Sequence, residues 1–211
     1  MRFYRPNGSL RCLSAGFSLI ELLVVMAIIG ILAAMIMGGI IAGGKQKYKA
    51  AIDGQLSEIQ TAIEEYHAKK GAFPPSSTNL FDQSPLYYEL VGTVYNKGSG
   101  QYETLDGQQK IELKTVKDFF KGVNGFLNSG LKKEEAENYY PNLKQKGHSA
   151  HPLRPASSDL QVLSVPVKSD SGFELYWHYN SFNPTNNPGR YDLWVEWVQK
   201  GQPTVIGNFK R

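Results

Sequence analysis

Cysteine is almost missing: Cys12 is the one example in 211 residues. That excludes an internal disulfide, a metal site built from several thiolates and a paired-thiol redox centre. Charge is missing in one place only. From Phe17 to Gly44 there is no Lys, Arg, Asp, His or Pro, and Glu21 is the single charged residue. Catalytic signatures are absent as well: there is no Gly-x-Ser-x-Gly elbow, no Gly-rich loop behind a strand and no His-Glu-x-x-His. His67, His148, His151 and His178 lack zinc-like spacing, and only His148 and His151 fall close together, in a proline-flanked loop. No enzyme class rises above background.

What is present begins with the apolar run itself. Phe17 to Gly44 spans roughly 28 residues, or about 42 Å as a helix, and a bilayer span takes about 20 apolar residues. An acid inside such a run costs about 2.5–3.5 kcal/mol on insertion scales, so Glu21 reads as a functional residue that needs a partner. The plainer reading is an acid at a helix start that reaches back to the interface. Upstream, Met1 to Gly16 carries Arg2, Arg5 and Arg11 and no acid. A secretory signal is cut behind its apolar core, whereas the small residue here, Gly16, lies in front of it. Lys and Arg number 23 against 19 acids, and leaving out those three arginines gives 20 against 19. The basic excess is therefore a topology signal that keeps the N-terminus inside, and nucleic-acid binding is not expected.

Beyond Gly44 the apolar positions Ile52, Leu56, Ile59, Ile63 and Tyr66 alternate spacings of four and three, which predicts one helical stripe. The opposite face carries Asp53, Gln55, Glu58, Gln60, Glu64 and Lys69. A single helix is expected from about Phe17 to Lys70, closed by Lys69, Lys70 and Gly71, with Pro74 and Pro75 preventing resumption. Gly30, Gly38, Gly39, Gly43 and Gly44 permit close helix approach within its apolar half. Ser84 and Pro85 predict the start of a short helix over Leu86 to Leu90. Thr93 to Tyr95 and Gln101 to Leu105 flank a turn at Asn96 to Gly100, and Val116, Phe119, Phe120 and Val123 suit a short helix. Leu131 to Pro155 reads as an exposed helix bearing Glu134, Glu135 and Glu137, followed by a loop. Leu160 to Val167, Phe173 to Asn180 and Tyr191 to Val198 are strand-like, with Phe173, Leu175, Trp177 and Tyr179 alternating against polar neighbours. Trp177, Trp194 and Trp197 suit core and lattice contacts better than a ligand platform.

Gly16-Phe17-Ser18-Leu19-Ile20-Glu21, with its basic leader and long apolar helix, resembles the class III signal of type IV prepilins and type II secretion pseudopilins. Gly71-Ala72-Phe73-Pro74-Pro75 and the segment Leu86 to Leu90 resemble the major pseudopilin in particular. The resemblance implies an α+β, pilin-like fold: a leader at 1–16, a transmembrane helical half at 17–44, an amphipathic half at 45–70 and a periplasmic domain at 71–211 with an insertion around 93–155. It also implies cleavage behind Gly16 by a prepilin peptidase, N-methylation of Phe17, and Glu21 meeting the N-terminal amine of a neighbouring subunit. The implied partners are further copies in a helical filament, minor pseudopilins and the inner-membrane assembly platform. The implied location is the bacterial inner membrane, single-pass with a cytoplasmic N-terminus, the assembled filament being periplasmic.

Resemblance to the major pseudopilin also implies calcium between C-terminal loops, for which Asn183, Asn186, Asn187 and Asp192 are oxygen-rich candidates. The family's downstream Gly-x-Asp element is missing, and asparagines closing a turn on their own backbone is the simpler reading. A type IV pilus subunit, a membrane-anchored ligand-binding module and an anchored periplasmic enzyme stay open as alternatives.

Overall fold

The computed structural model describes residues 18–78, 80–143, 148–150, 160–169, 171–199 and 201–209, with side chains for all of these but 36–45, 148–150 and 199. Cys12, Gly16, Phe17 and His151 lie outside the described residues, and at Gly38, Gly39, Gly43 and Gly44 only the helical backbone is described. The chain divides into two units, Met1–Gln46 and Lys47–Arg211. Helix α1 (Leu19–Lys70) contains 52 residues. In the first unit every described side chain from Ser18 to Met35 is exposed. Among the described residues no helix is long and apolar enough to cross a membrane.

In the second unit the spacing of four and three has the expected result: Ile52, Leu56, Ile59, Ile63 and Tyr66 are all buried. Gln55 departs from the expectation, because it is buried rather than solvated. Its carboxamide accepts the Trp177 indole N–H at 2.8 Å and donates to the Ser164 carbonyl at 3.0 Å, so its polar ends are matched inside the core. The helix stops where Gly71, at φ 74°, donates its N–H to the His67 carbonyl at 2.8 Å. That left-handed turn is accessible to glycine without a Cβ clash.

The chain then forms α2 (Leu86–Val91), β1 (Thr93–Asn96), β2 (Gln101–Thr104), β3 (Lys110–Glu112), α3 (Leu113–Phe119) and β4 (Ser129–Gly130). The Ser84 Oγ accepts the Leu86 N–H at 3.2 Å at the entry to α2. β1 and β2 pair antiparallel across the predicted turn, where Asn96 Oδ1 accepts the Gly98 and Ser99 N–H groups at 2.8 and 3.2 Å. The resulting four-stranded sheet has the order β3-β2-β1-β4, with β4 parallel to β1. The expected helix after Leu131 shrinks to a single 3-10 turn, Lys133–Glu135. The reason lies four residues further on. Tyr139 and Tyr140 are buried, and the Tyr139 N–H donates to the Leu90 carbonyl at 2.8 Å, which holds this stretch extended against α2.

The remaining strands are β5 (His148–Ala150), β6 (Gln161–Lys168), β7 (Glu174–Tyr176), β8 (His178–Asn180), β9 (Asp192–Gln199) and β10 (Gln202–Gly207). They form two three-stranded sheets, β5-β6-β7 and β10-β9-β8, antiparallel throughout. The single strand expected over Phe173 to Asn180 is divided at Trp177, its two halves serving different sheets. Burying Trp177 against Gln55 sets that break, and the Trp177 N–H donates to the Leu163 carbonyl at 3.0 Å. Phe173, expected to face inward, is 72% exposed because it precedes β7. The register between β6 and β7 shifts between Ser164 and Lys168, the interval that contains Pro166, which has no N–H to offer a ladder. The architecture is α+β, a leading helix followed by sheets that are antiparallel but for the β1–β4 pair, consistent with a pilin-like fold.

Candidate functional site

The first candidate is the start of α1. Ser18 donates its backbone N–H to the Glu21 carboxylate at 2.9 Å, and the Glu21 N–H points to the Ser18 hydroxyl at 3.4 Å. This is a capping box: each residue occupies an orphan donor of the helix terminus, and the acid lies where the helix dipole favours negative charge. The spacing Ser18-x-x-Glu21 carries that signal in the sequence, and the reading of Glu21 as a lone intramembrane acid passed over it. Glu21 thus has a local role within its own helix. Beside it, Leu19, Ile20, Leu22 and Leu23 are between 61% and 83% exposed, an apolar surface that nothing within this unit covers among the described residues.

The second candidate is the loop from Asn183 to Asp192. Asp192 opens β9 and is buried. Its Oδ2 accepts the Thr185 and Asn186 N–H groups, each at 2.9 Å, and the Asn186 side-chain amide at 3.0 Å. Its Oδ1 accepts the Asn187 N–H at 2.9 Å and the Asn187 side-chain amide at 3.1 Å. Burial pushes the carboxyl upward, but these donors outweigh it and hold Asp192 below the usual carboxylate range. Asn183 is engaged through its backbone: its carbonyl accepts the Asn180 side-chain amide at 2.8 Å and its N–H donates to Asn180 Oδ1 at 3.1 Å. The structure therefore brings three of the four sequence candidates together and leaves Asn183 apart. Asn208, just beyond β10, joins them: its Oδ1 accepts the Leu193 N–H at 2.9 Å and the Asn187 side-chain amide at 3.2 Å.

The third feature was not singled out as functional in the sequence. Glu89, on α2, is fully buried. It accepts the Leu127 N–H and the Asn128 N–H, each at 2.8 Å, and the Tyr66 hydroxyl of α1 at 3.0 Å. Asn128 in turn donates to the Glu89 carbonyl at 2.8 Å. Burial pushes the Glu89 carboxyl up to about 7, opposed by the Asn128 and Leu127 N–H groups, the Tyr66 hydroxyl and the Lys70 charge. The one sequence signal was an acid flanked by apolar residues within Leu86 to Val91. This node joins three segments, α1, α2 and the stretch at Leu127 and Asn128, and every contact it makes is within the fold, so it is structural.

Of the tryptophans, Trp177 and Trp197 are buried, and Trp194 is half-buried, stacked on His178 with ring centroids 5.1 Å apart. They form no exposed aromatic platform. Glu134 and Glu135 are exposed as expected, while Glu137 pairs with Lys69 of α1. Among the described residues no group of three His, Cys, Asp or Glu gathers as a metal centre.

Residues 11–37 match the family described as the prokaryotic N-terminal methylation motif. The match includes Gly16, Phe17, Ser18 and Glu21, and it supports a type IV pilin-like protein. Such a signal belongs with prepilin peptidase processing and pilus-type polymerisation at the cell envelope, and with a structural subunit rather than an enzyme. No curated protein and no solved structure matches the chain.

Proposed function

We propose that this chain is a pseudopilin: a subunit trimmed behind Gly16, methylated at Phe17, held in the inner membrane by residues 17–44 and polymerised into the periplasmic pseudopilus of a type II secretion system. The observation that carries the reading is the methylation motif at residues 11–37 running into a helix whose apolar side chains are all exposed from Leu19 to Met35. Such a surface needs lipid or other helices around it, and a filament of like subunits supplies the second as it leaves the first. Copies of the chain, minor pseudopilins, the prepilin peptidase and the assembly platform are the partners this reading requires.

Glu21 has a defined part in it. In the single subunit its carboxylate caps α1 through the Ser18 N–H. In the filament it turns to the methylated amine of Phe17 on the adjacent copy, a cation that a desolvated acid needs. Removing one member of a buried ion pair costs about 3–5 kcal/mol, so Glu21→Ala is expected to be processed normally yet incorporated at least tenfold less than wild type. Equal incorporation would end the pairing role. Mass spectrometry of the native N-terminus tests the class directly, with an N-methylated phenylalanine expected and an intact leader the contrary result. A surface pilus is the second reading, favoured by the ordered four-stranded sheet between α2 and β5, which a surface filament would display. Loss of exported enzymes on deletion, with surface filaments unaffected, distinguishes the pseudopilus from the pilus.

A further inference from the structure

We infer that the Asn183 to Asp192 loop is locked by an internal anion, the Asp192 carboxylate, at the position where resemblance to the major pseudopilin implies calcium, and that the domain closes this loop without the cation. The polarity of the groups facing Asp192 carries the inference. Calcium takes six to eight oxygen atoms directed at one point. Here three consecutive backbone N–H groups, those of Thr185, Asn186 and Asn187, converge on one carboxylate at 2.9 Å. Such a run of N–H groups is an anion-binding nest, and Asp192 is the anion in it. The Asn186 and Asn187 side-chain amides add two further donors, so five donors crowd the roughly four lone-pair sites of the two carboxylate oxygens and leave none for a cation.

Turning the two asparagine amides would not convert the site. It would set their oxygens against the carboxylate oxygens, while the three backbone N–H groups, fixed by the path of the chain, would still point their positive ends at the place a cation would take. The backbone carbonyl of Asn183, the fourth candidate residue, is engaged by the Asn180 side chain at 2.8 Å. The lock also reaches the end of the described chain. Asn187 meets Asn208, and Asn208 donates to the Tyr191 carbonyl at 2.9 Å, so loop and C-terminal segment close together. The same loop delivers Tyr191, whose hydroxyl reaches Glu64 of α1 at 3.3 Å, and Arg190, which pairs with that same acid. A cation bridging loops and an acid gathering N–H groups solve the same closure problem with opposite charge.

The test is thermal unfolding of the full chain in detergent, followed by tryptophan fluorescence, with calcium chloride in one sample and a chelator in the other. Ligand that binds only the folded state raises its midpoint by linkage, so the expected result for the wild type is coincidence to within about 1 °C. Asp192→Asn, which removes the charge and turns an amide toward the N–H nest, is expected to lower the midpoint by several degrees whether or not calcium is present. A wild-type midpoint that rises several degrees with calcium would overturn the inference, as would an Asp192→Asn midpoint equal to that of the wild type. The wild-type comparison needs no variant, so it decides the matter even if Asp192→Asn fails to fold.

Discussion

Two stretches of α1 treat their apolar residues in opposite ways. From Leu19 to Met35 the helix is apolar nearly all round and exposed on every described side chain. From Ile52 to Tyr66 it is polar over much of its surface, yet Ile52, Ile59, Ile63 and Tyr66 have no exposure at all. The second stretch is satisfied by its own chain, through Gln55, Trp177, Tyr179 and the sheets around them. The first has no such cover among the described residues of its unit. A helix of this composition left bare is favourable only when something outside the subunit removes it from water, and that is the physical core of the filament proposal.

The largest effects are expected where the covered stretch is broken. Ile59→Ala removes a side chain with no exposure and should cost about 3–4 kcal/mol, read as a lower unfolding midpoint of the full chain in detergent. Ile28→Ala, in the exposed stretch, should leave that midpoint unchanged and lower filament incorporation alone. If both variants lost the same stability, the contrast between the two stretches would collapse. Glu89→Ala comes next. It strands the Leu127 and Asn128 N–H groups in the interior, at about 2–3 kcal/mol.

Glu89 also sharpens the comparison through pH. Its carboxyl is pushed up to about 7 from 4.5, so the folded protein binds a proton that the unfolded chain has released. Stability from this group is complete below 4.5 and is lost as pH rises through about 7. Asp192 works in the opposite sense: its carboxyl is depressed, so its stabilisation is present above about 3.8 and is lost as pH falls through its lower folded value. The unfolding midpoint should therefore fall between pH 5 and pH 8, and Glu89→Gln should flatten that slope. The smallest effect is expected at the surface. Lys49 and Asp53 lie 2.6 Å apart but are exposed, and Lys49→Ala should cost no more than about 0.5 kcal/mol in the same measurement.

Local signals carried a good part of this protein. The stripe Ile52 to Tyr66, the stop at Gly71 and the turn at Asn96 to Gly100 depend on residues within a few positions of one another, and each lies where its spacing put it. The methylation motif is local too, which is why residues 11–37 suffice to match it. The signals missed were those with a partner far along the chain. Gln55 is buried because Ser164 and Trp177, 109 and 122 positions away, meet its amide. Tyr66 finds Glu89, and Glu89 finds Leu127 and Asn128, only after three segments have come together. Strand β10 was overlooked because Gln202 to Gly207 has little alternation of its own and is recruited by β9 across the turn at Gly201.

From the order of its residues alone, this chain determined that a methylation motif at residues 11–37 runs into an apolar helix, since periodicity and charge exclusion act between near neighbours. Only the folded arrangement decided which polar groups went inside. A buried donor or acceptor is tolerable solely when a matching group arrives from elsewhere, and that arrival is a property of three-dimensional closure.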